Sequence, residues 1–304
     1  MQHSGWVLKS TGSNYIVETS EEKQYNCTLR GYFRTKNIRS TNPIAVGDRV
    51  VFSCNDDKSE GIITEILPRN NYLKRRATKL SKSSHIIASN FDCFFIIASV
   101  MQPKTSTGFI DRLLINAEAF HIPVNIVFNK YDIYTDEAKQ RYLELKKIYT
   151  EVGYNVITTS TVTNLGIDEL KSLIEGKISL FTGHSGVGKS ALLNSICPDL
   201  NLKTGSISEY HNKGKHTTTF AEMHHIKKGT YIIDTPGIKE FGLIDFEDDE
   251  LHERYPEFRR LAHKCNFNNC THVHEPNCAV ISALKDNLIS EERYNNYLNI
   301  LSEL

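Results

Sequence analysis

The chain has no excess of either charge: 36 Lys and Arg balance 36 Asp and Glu over 304 residues. A balanced chain has no global basic field, so any nucleic-acid affinity must come from local patches. No apolar run reaches transmembrane length, and no membrane partner is expected. The seven cysteines are an odd number with no secretory signal ahead of them, which argues against a disulfide framework and for a reducing cytoplasm. Repeats and low-complexity tracts are absent. What remains is 39% hydrophobic and 24% charged, enough for two or three domains with their own cores.

The hydrophobic rhythm changes along the chain. Five short β-rich runs, GWVLKS, NYIVET, QYNCTLRG, DRVVFS and GIITEI, alternate with Gly, Asn, Asp and Pro breaks, as a small five-stranded barrel requires. The aromatics Trp6, Tyr15, Tyr25, Tyr32 and Phe33 in this region are expected mostly in its core rather than stacked on bases. Arg69, Lys74, Arg75, Arg76, Lys79 and Lys82 then form a basic segment without an acid, either an RNA contact or a solvated linker. From Phe91 strands alternate with helices (FDCFFIIAS, RLLINAEAF, VNIVF, then a charged helical stretch from Asp136 to Thr150), which implies a mostly parallel sheet under helices. The C-terminal part reads as helical. There Ser290 can cap a last helix, although Arg293 at the third helical position rules out a full capping box.

Three strand ends carry chemistry. Residues Gly183, His184, Ser185, Gly186, Val187, Gly188, Lys189 and Ser190 spell G-x-x-x-x-G-K-S between the β-prone ISLFT and the helical SALLNSIC, with Ala191 following. In that setting glycines turn backbone N–H groups around phosphate oxygens at a helix N-terminus, Lys189 reaches the β and γ phosphates, and Ser190 faces Mg²⁺. TYIIDTPG ends a buried-strand pattern with Asp234, a second Mg²⁺-side oxygen, and Gly237, whose N–H suits the γ phosphate. Asn129, Lys130, Tyr131 and Asp132 follow VNIVF. Asp132 can accept from guanine N1 and N2, a donor pair that adenine lacks, and discrimination on the order of 10⁴ is expected. VITTST has the shape of a loop that backs the base through Ser160, with Thr161 where many GTPases carry Ala.

Near the C-terminus Cys265, Cys270, His272 and Cys278 are spaced C-x₄-C-x-H-x₅-C, with His263 and His274 as spare ligand candidates. Three thiolates and an imidazole make a closed tetrahedral zinc set with no open position, so a structural site is expected. Cys27, Cys54, Cys93 and Cys197 lie scattered and are expected to pack as small apolar residues.

The guanine motif lies upstream of the phosphate loop, the reverse of the ordinary GTPase order. Together with GKHTTT at Gly214 to Thr219 and the cysteine cluster, that order resembles the bacterial small-ribosomal-subunit-dependent GTPases of the RsgA (YjeQ/EngC) family, over essentially the whole chain. The resemblance implies a multidomain α/β protein: an OB-type β-barrel at 1–70, a circularly permuted P-loop GTPase domain at 71–243, and a mostly helical zinc domain at 244–304. It implies zinc on Cys265, Cys270, His272 and Cys278, and Mg²⁺ held with GTP by Ser190, Thr218 and Asp234, Thr217 and Thr219 being register alternatives for Thr218. It further implies a cytoplasmic protein that acts on the small subunit and its rRNA, and a monomer is expected. Ile238 follows DTPG and cannot hydrogen-bond water, so His216 is the candidate for orienting it, alongside Lys189 and Thr218 in catalysis. Intrinsic turnover is expected to be slow, with a partner supplying a gain of about 10³ to 10⁵. Because the chain leaves the nucleotide domain soon after Gly237, phosphate loss is expected to act directly on the zinc domain.

Overall fold

The computed structural model describes residues 2–29, 43–55, 59–76, 84–204, 221–237 and 248–304. Its first five strands, β1 (Gln2–Ser10), β2 (Asn14–Thr19), β3 (Gln24–Leu29), β4 (Arg49–Asn55) and β5 (Glu60–Ile66), coincide with the five β-rich runs of the sequence. They pair in the order β1-β2-β3-β5-β4, and β4 returns to β1, so the sheet closes into an OB-type barrel. Closure leaves no free edge and demands strict in–out alternation. In β3, residues 24–29 alternate exposed and buried. Tyr15, Tyr25, Cys27, Phe52 and Cys54 fill the barrel with Val7, Val17, Val50 and Ile63, placing the aromatics of β2 and β3 in the core. Tyr32 and Phe33 lie outside the described residues.

After a hairpin of β6 (Tyr72–Arg76) and β7 (Ser84–Ser89), six strands form the central sheet: β8 (Cys93–Ala98), β9 (Val124–Phe128), β10 (Asn155–Thr158), β11 (Ile178–Gly183), β12 (Glu222–Lys227) and β13 (Thr230–Asp234). Their order is β10-β9-β8-β11-β13-β12, all parallel except β12, which is antiparallel to β13. CFFIIA, VNIVF and ISLFTG are buried at every position, the continuous apolar run of strands covered on both faces. Phe94, Ile96 and Leu180 point to one face, under α1 (Thr107–Ala119) and α2 (Asp136–Val152); Phe95, Ile97 and Phe181 point to the other, under α3 (Ile167–Ile174) and α4 (Lys189–Ile196). Strand order reverses direction between β8 and β11, the topological point where open α/β sheets bind ligands at their carboxyl ends.

The barrel joins this sheet through β1 and β12, where Lys9 and Glu222 are register partners and their side chains also pair at 3.1 Å. Across the same seam Tyr231 donates its hydroxyl to the buried Glu18 at 3.1 Å. The basic segment is partly structural. Arg69 forks onto the fully buried Asp48 at 2.6 Å through both Nε and Nη2, and Ser89 and the Ala45 N–H complete that carboxylate's shell. Lys79 and Lys82 lie outside the described residues.

The C-terminal unit consists of a 3-10 turn at Asp248–Arg254 followed by α5 (Pro256–Ala262), α6 (Ala279–Lys285) and α7 (Glu291–Leu301). Its core of Leu251, Tyr255, Phe258, Val280, Tyr297 and Ile300 also takes in Ile115 of α1. Ser290 caps α7, accepting from the Arg293 N–H. Arg293 itself is buried: Nη1 reaches Asp111 of α1 at 2.5 Å, Nε and Nη2 reach Glu257 of α5 at 2.8 and 3.1 Å, and the guanidinium lies over the Tyr255 ring. Tyr149 and Asn296 also donate to Asp111, at 3.1 and 2.6 Å. Burial, and next the Asp111 charge, keep the Tyr149 phenol protonated and so a donor. Among the described residues no helix is long and apolar enough to cross a membrane.

Candidate nucleotide site and metal cluster

Four motif loops meet at the carboxyl ends of β9, β10, β11 and β13. The phosphate loop leaves β11 at Gly183 and enters α4 at Lys189. Gly188 sits at φ +90°, and a Cβ there would lie 2.6 Å from Asn129 Nδ2. Glycine is therefore required twice, for the left-handed backbone and for the close approach of the guanine motif. Asn129 Nδ2 donates to the Val187 carbonyl at 3.0 Å, and its Oδ1 accepts from Thr159 at 3.0 Å, so both ends of the amide are used. Lys130 lies across the loop and donates to the carbonyls of Gly186 at 2.7 Å and Gln102 at 2.6 Å. Burial lowers its pKa, partly offset by Asp132. Asn129 and Lys130 thus clasp the phosphate loop, and Asp132 is the member of the motif with a carboxylate to offer a base.

Ser160 holds that carboxylate. Its hydroxyl donates to Asp132 Oδ1 at 2.6 Å while accepting the N–H groups of Val162 and Thr163 at 3.2 and 3.1 Å. The hydroxyl is therefore aimed by its own loop, and Thr161 leaves this geometry intact. Tyr131 packs its ring against Tyr134 and Tyr142, and its N–H donates to the Thr159 carbonyl at 3.1 Å. Val187 is fully buried in the core, so it has only its backbone to offer a ligand. His184 stacks on Phe109 of α1 with ring centroids 3.9 Å apart.

At the other side of the loop Lys189, buried, pairs with Asp234 at the end of β13. Ser190 opens α4 beside Lys189, with Ala191 next in the same turn. Thr235 is tied down through Phe181 and Thr182 at 3.0 Å each, which sets the direction in which Pro236 and Gly237 leave the sheet. A Cβ on Gly237 would lie 2.8 Å from Ser185 Cα, so the G-x-x-x-x-G-K-S and DTPG loops touch. A carboxylate and a hydroxyl here are hard oxygen donors of the kind Mg²⁺ takes alongside phosphate. His216, Thr217, Thr218, Thr219 and Ile238 lie outside the described residues.

In the C-terminal unit Cys265, Cys270, His272 and Cys278 bring one ligand atom each within 4.8 Å of one another. His272 faces the thiols through Nδ1, 3.3 Å from Cys278 Sγ and 3.7 Å from Cys265 Sγ. These two edges lie within the roughly 3.3–3.8 Å of a tetrahedron at zinc–ligand bond lengths, the Cys265 Sγ–Cys278 Sγ edge is wider at 4.0 Å, and the soft donor set fits zinc. His272 is in the left-handed conformation at φ +61°. Glu275 stabilises the turn: its carboxylate accepts from Thr271 N–H and hydroxyl at 2.7 and 2.6 Å and from the N–H groups of Val273 and His274. Burial alone would raise the Glu275 pKa, but these bonds, Thr271's foremost, hold it well below the usual carboxylate range. Burial lowers the His272 pKa to about 4 and raises Cys270 to about 12. His274 is exposed, its N–H turned to Glu275. Tyr294 and Tyr297 of α7 bind the carbonyls of His272 and Thr271 at 2.7 and 2.6 Å. All seven cysteines are free thiols; Cys27, Cys54 and Cys93 are buried and Cys197 partly so.

Sequence reasoning did not reach Thr159, Phe109 or the Asp111–Arg293–Glu257 cluster. Thr159 had a local signal, since it stands beside Ser160 in the same motif. The other partners are far apart in sequence.

Comparison with known proteins agrees with this geometry. The RsgA GTPase family model matches residues 66–244, and the RsgA N-terminal domain model matches residues 4–63. A Bacteroides thetaiotaomicron protein named small ribosomal subunit biogenesis GTPase RsgA 2 is 50% identical over 98% of this chain and 96% of its own length. A Flavobacterium psychrophilum protein named small ribosomal subunit biogenesis GTPase RsgA is 48% identical, over 98% and 92%. Among solved structures, YjeQ from Thermotoga maritima superposes with a TM-score of 0.79 at 36% identity, covering 100% of this chain and 99% of that one. YloQ, described as a circularly permuted GTPase, gives 0.74 at 29% identity, covering 100% and 95%.

Proposed function

Because the chain belongs to the RsgA GTPase family, we propose that this GTP hydrolase binds the small ribosomal subunit and couples hydrolysis to the subunit's late maturation and to its own release. The names of its relatives support the ribosomal part. The observation that carries the nucleotide part is the clasp of Asn129 and Lys130 on the phosphate loop, with Asp132 held beside it by Ser160. That clasp ties guanine reading to phosphate binding, an arrangement an ATPase has no use for.

In this reading the N–H groups of 183–190 and Lys189 hold the phosphates, and Asp132 accepts from guanine with Ser160 keeping it oriented. Lys189 exchanges its ion pair with Asp234 for the phosphates. Asp234 would then be free to hold Mg²⁺ together with Ser190 and Thr218, and the ion would supply charge neutralisation to the phosphates. Gly237 offers its N–H to the γ phosphate. His216 orients the water, and its loop is ordered by the subunit, so intrinsic turnover is slow. Cys265, Cys270, His272 and Cys278 would hold a structural Zn²⁺. The division into 1–70, 71–243 and 244–304, a monomeric state and a cytoplasmic location belong to the same proposal. Loss of the γ phosphate acts on the zinc domain through the chain leaving Gly237.

The test is steady-state GTP hydrolysis by wild type and His216→Ala with purified small subunits, large subunits serving as control. Stimulation by small subunits alone, lost in the variant while GTP binding persists, is the expected result. Equal stimulation by large subunits would refute the partner, and stimulation that survives the substitution would remove His216 from catalysis.

A further inference from the structure

The phosphate loop is braced on both sides of one residue. Lys130 fixes Gly186 and Asn129 fixes Val187 through their carbonyls, at 2.7 and 3.0 Å. On the other flank His184 is stacked on Phe109 at 3.9 Å, and its carbonyl accepts the Val187 N–H at 3.3 Å. Ser185 is left at the crest between these supports. Its Oγ is buried and has no hydrogen-bond partner, whereas the hydroxyls of Ser99, Thr159, Ser160 and Thr235 around the same sheet end are all engaged. An unsatisfied buried hydroxyl in an otherwise satisfied neighbourhood calls for a functional explanation. Ser185 also touches the DTPG loop, its Cα 2.8 Å from where a Gly237 Cβ would stand. The hydroxyl therefore belongs to the wall between the phosphate loop and the loop that meets the γ phosphate.

Building on the GTPase reading above, we propose that Ser185 is a catalytic residue: its hydroxyl donates a hydrogen bond to the γ-phosphoryl group of GTP and strengthens that bond as charge redistributes in the transition state. In the reaction the water oxygen bonds to phosphorus, the bond to the β–γ bridging oxygen breaks, and its electron pair leaves with GDP. The proton lost by water ends on the released phosphate. Ser185 keeps its own proton throughout and acts only as a preorganised donor. This role suits a chain with Ile238 after DTPG, because a phosphate-loop side chain can supply polar contact that an isoleucine cannot.

The experiment is single-turnover GTP hydrolysis by the full chain, wild type against Ser185→Ala and Ser185→Gly, with affinities for GTP, ATP, GDP and GDP–aluminium fluoride from fluorescent-nucleotide competition. Both variants only remove atoms, and the glycine variant controls for any effect of the remaining methyl. Expected are hydrolysis rates down by about ten-fold or more, GDP affinity within about two-fold of wild type, and aluminium fluoride complex affinity reduced about ten-fold. Rates within about two-fold of wild type in either variant would overturn the proposal. So would equal losses for GDP and GTP, which would make the hydroxyl a support of the loop. A wild type that fails to prefer GTP over ATP would overturn the underlying GTPase reading instead, and the proposal with it.

Discussion

Replacing Arg293 by Met removes the cation that, among the described residues, pairs with two buried carboxylates, Asp111 and Glu257. Arg293 is 2% exposed, Asp111 0% and Glu257 9%, and the guanidinium makes three charge-assisted bonds between 2.5 and 3.1 Å. Methionine preserves most of the side-chain length and still packs on Tyr255, so the loss is chiefly electrostatic. Breaking a buried pair from one side costs about 3–5 kcal/mol, because the remaining charge stays desolvated without a partner. At about 1.4 kcal/mol per factor of ten, the opening equilibrium of α7 should rise by roughly 10² to 10³·⁵. Amide hydrogen exchange reads this directly: α7 amides should lose that much protection, while β8, β9 and β11, whose cores lie elsewhere, should lose little. GTP affinity should stay within about three-fold, since no phosphate-loop hydrogen bond involves Arg293. Protection in α7 within a factor of about two of wild type would refute the reasoning, and adding Asp111→Asn to the variant should recover part of the loss.

Gly188→Ala should raise the GTP Kd by about ten-fold or more, because the methyl both strains a left-handed residue and displaces Asn129; unchanged binding by calorimetry would contradict the clasp. Asp132→Asn removes a carboxylate acceptor, and the GTP Kd should rise on the order of 10² with ATP binding unaffected; the ratio of the two affinities is the readout. Cys270→Ser should lower bound zinc below one equivalent and lower the melting temperature, and chelation of the wild type should do the same; full zinc content with an unchanged melt would rule out the cluster as a structural site. Glu275→Gln should weaken zinc retention about ten-fold or more in a chelator competition, since four hydrogen bonds to the His272 turn lose their anionic acceptor.

The chemistry was legible in the sequence wherever it depends on local backbone. A phosphate loop needs glycines at fixed offsets between a strand and a helix, a guanine motif needs a carboxylate just past a strand end, and a zinc set needs soft donors a few residues apart. Each of these is a short-range constraint, so spacing along the chain reports it. The barrel strands were legible for the same reason, since period-two burial runs through β3 and the first halves of β2 and β5. The imidazole of the metal cluster was legible only through the family resemblance: His272 and His274 are two residues apart and chemically equal, and the turn stabilised by Glu275 is what aims His272 at the thiols and leaves His274 outside.

Partners far apart in sequence were decided by the tertiary structure alone. Arg293 looked like a residue that spoils a capping box, yet it neutralises Asp111, 182 positions upstream. Arg69 looked like part of a basic patch, yet it is spent on Asp48 at the seam beside the barrel. His184 was one of four unspecified positions in a motif until the fold laid Phe109 against it. A buried charge or ring takes its role from whatever occupies the few ångströms around it, and those neighbours are chosen by the packing of sheets and helices. Local sequence thus determined which chemistry the chain can perform, and the fold determined what braces it, because desolvation and contact act through space.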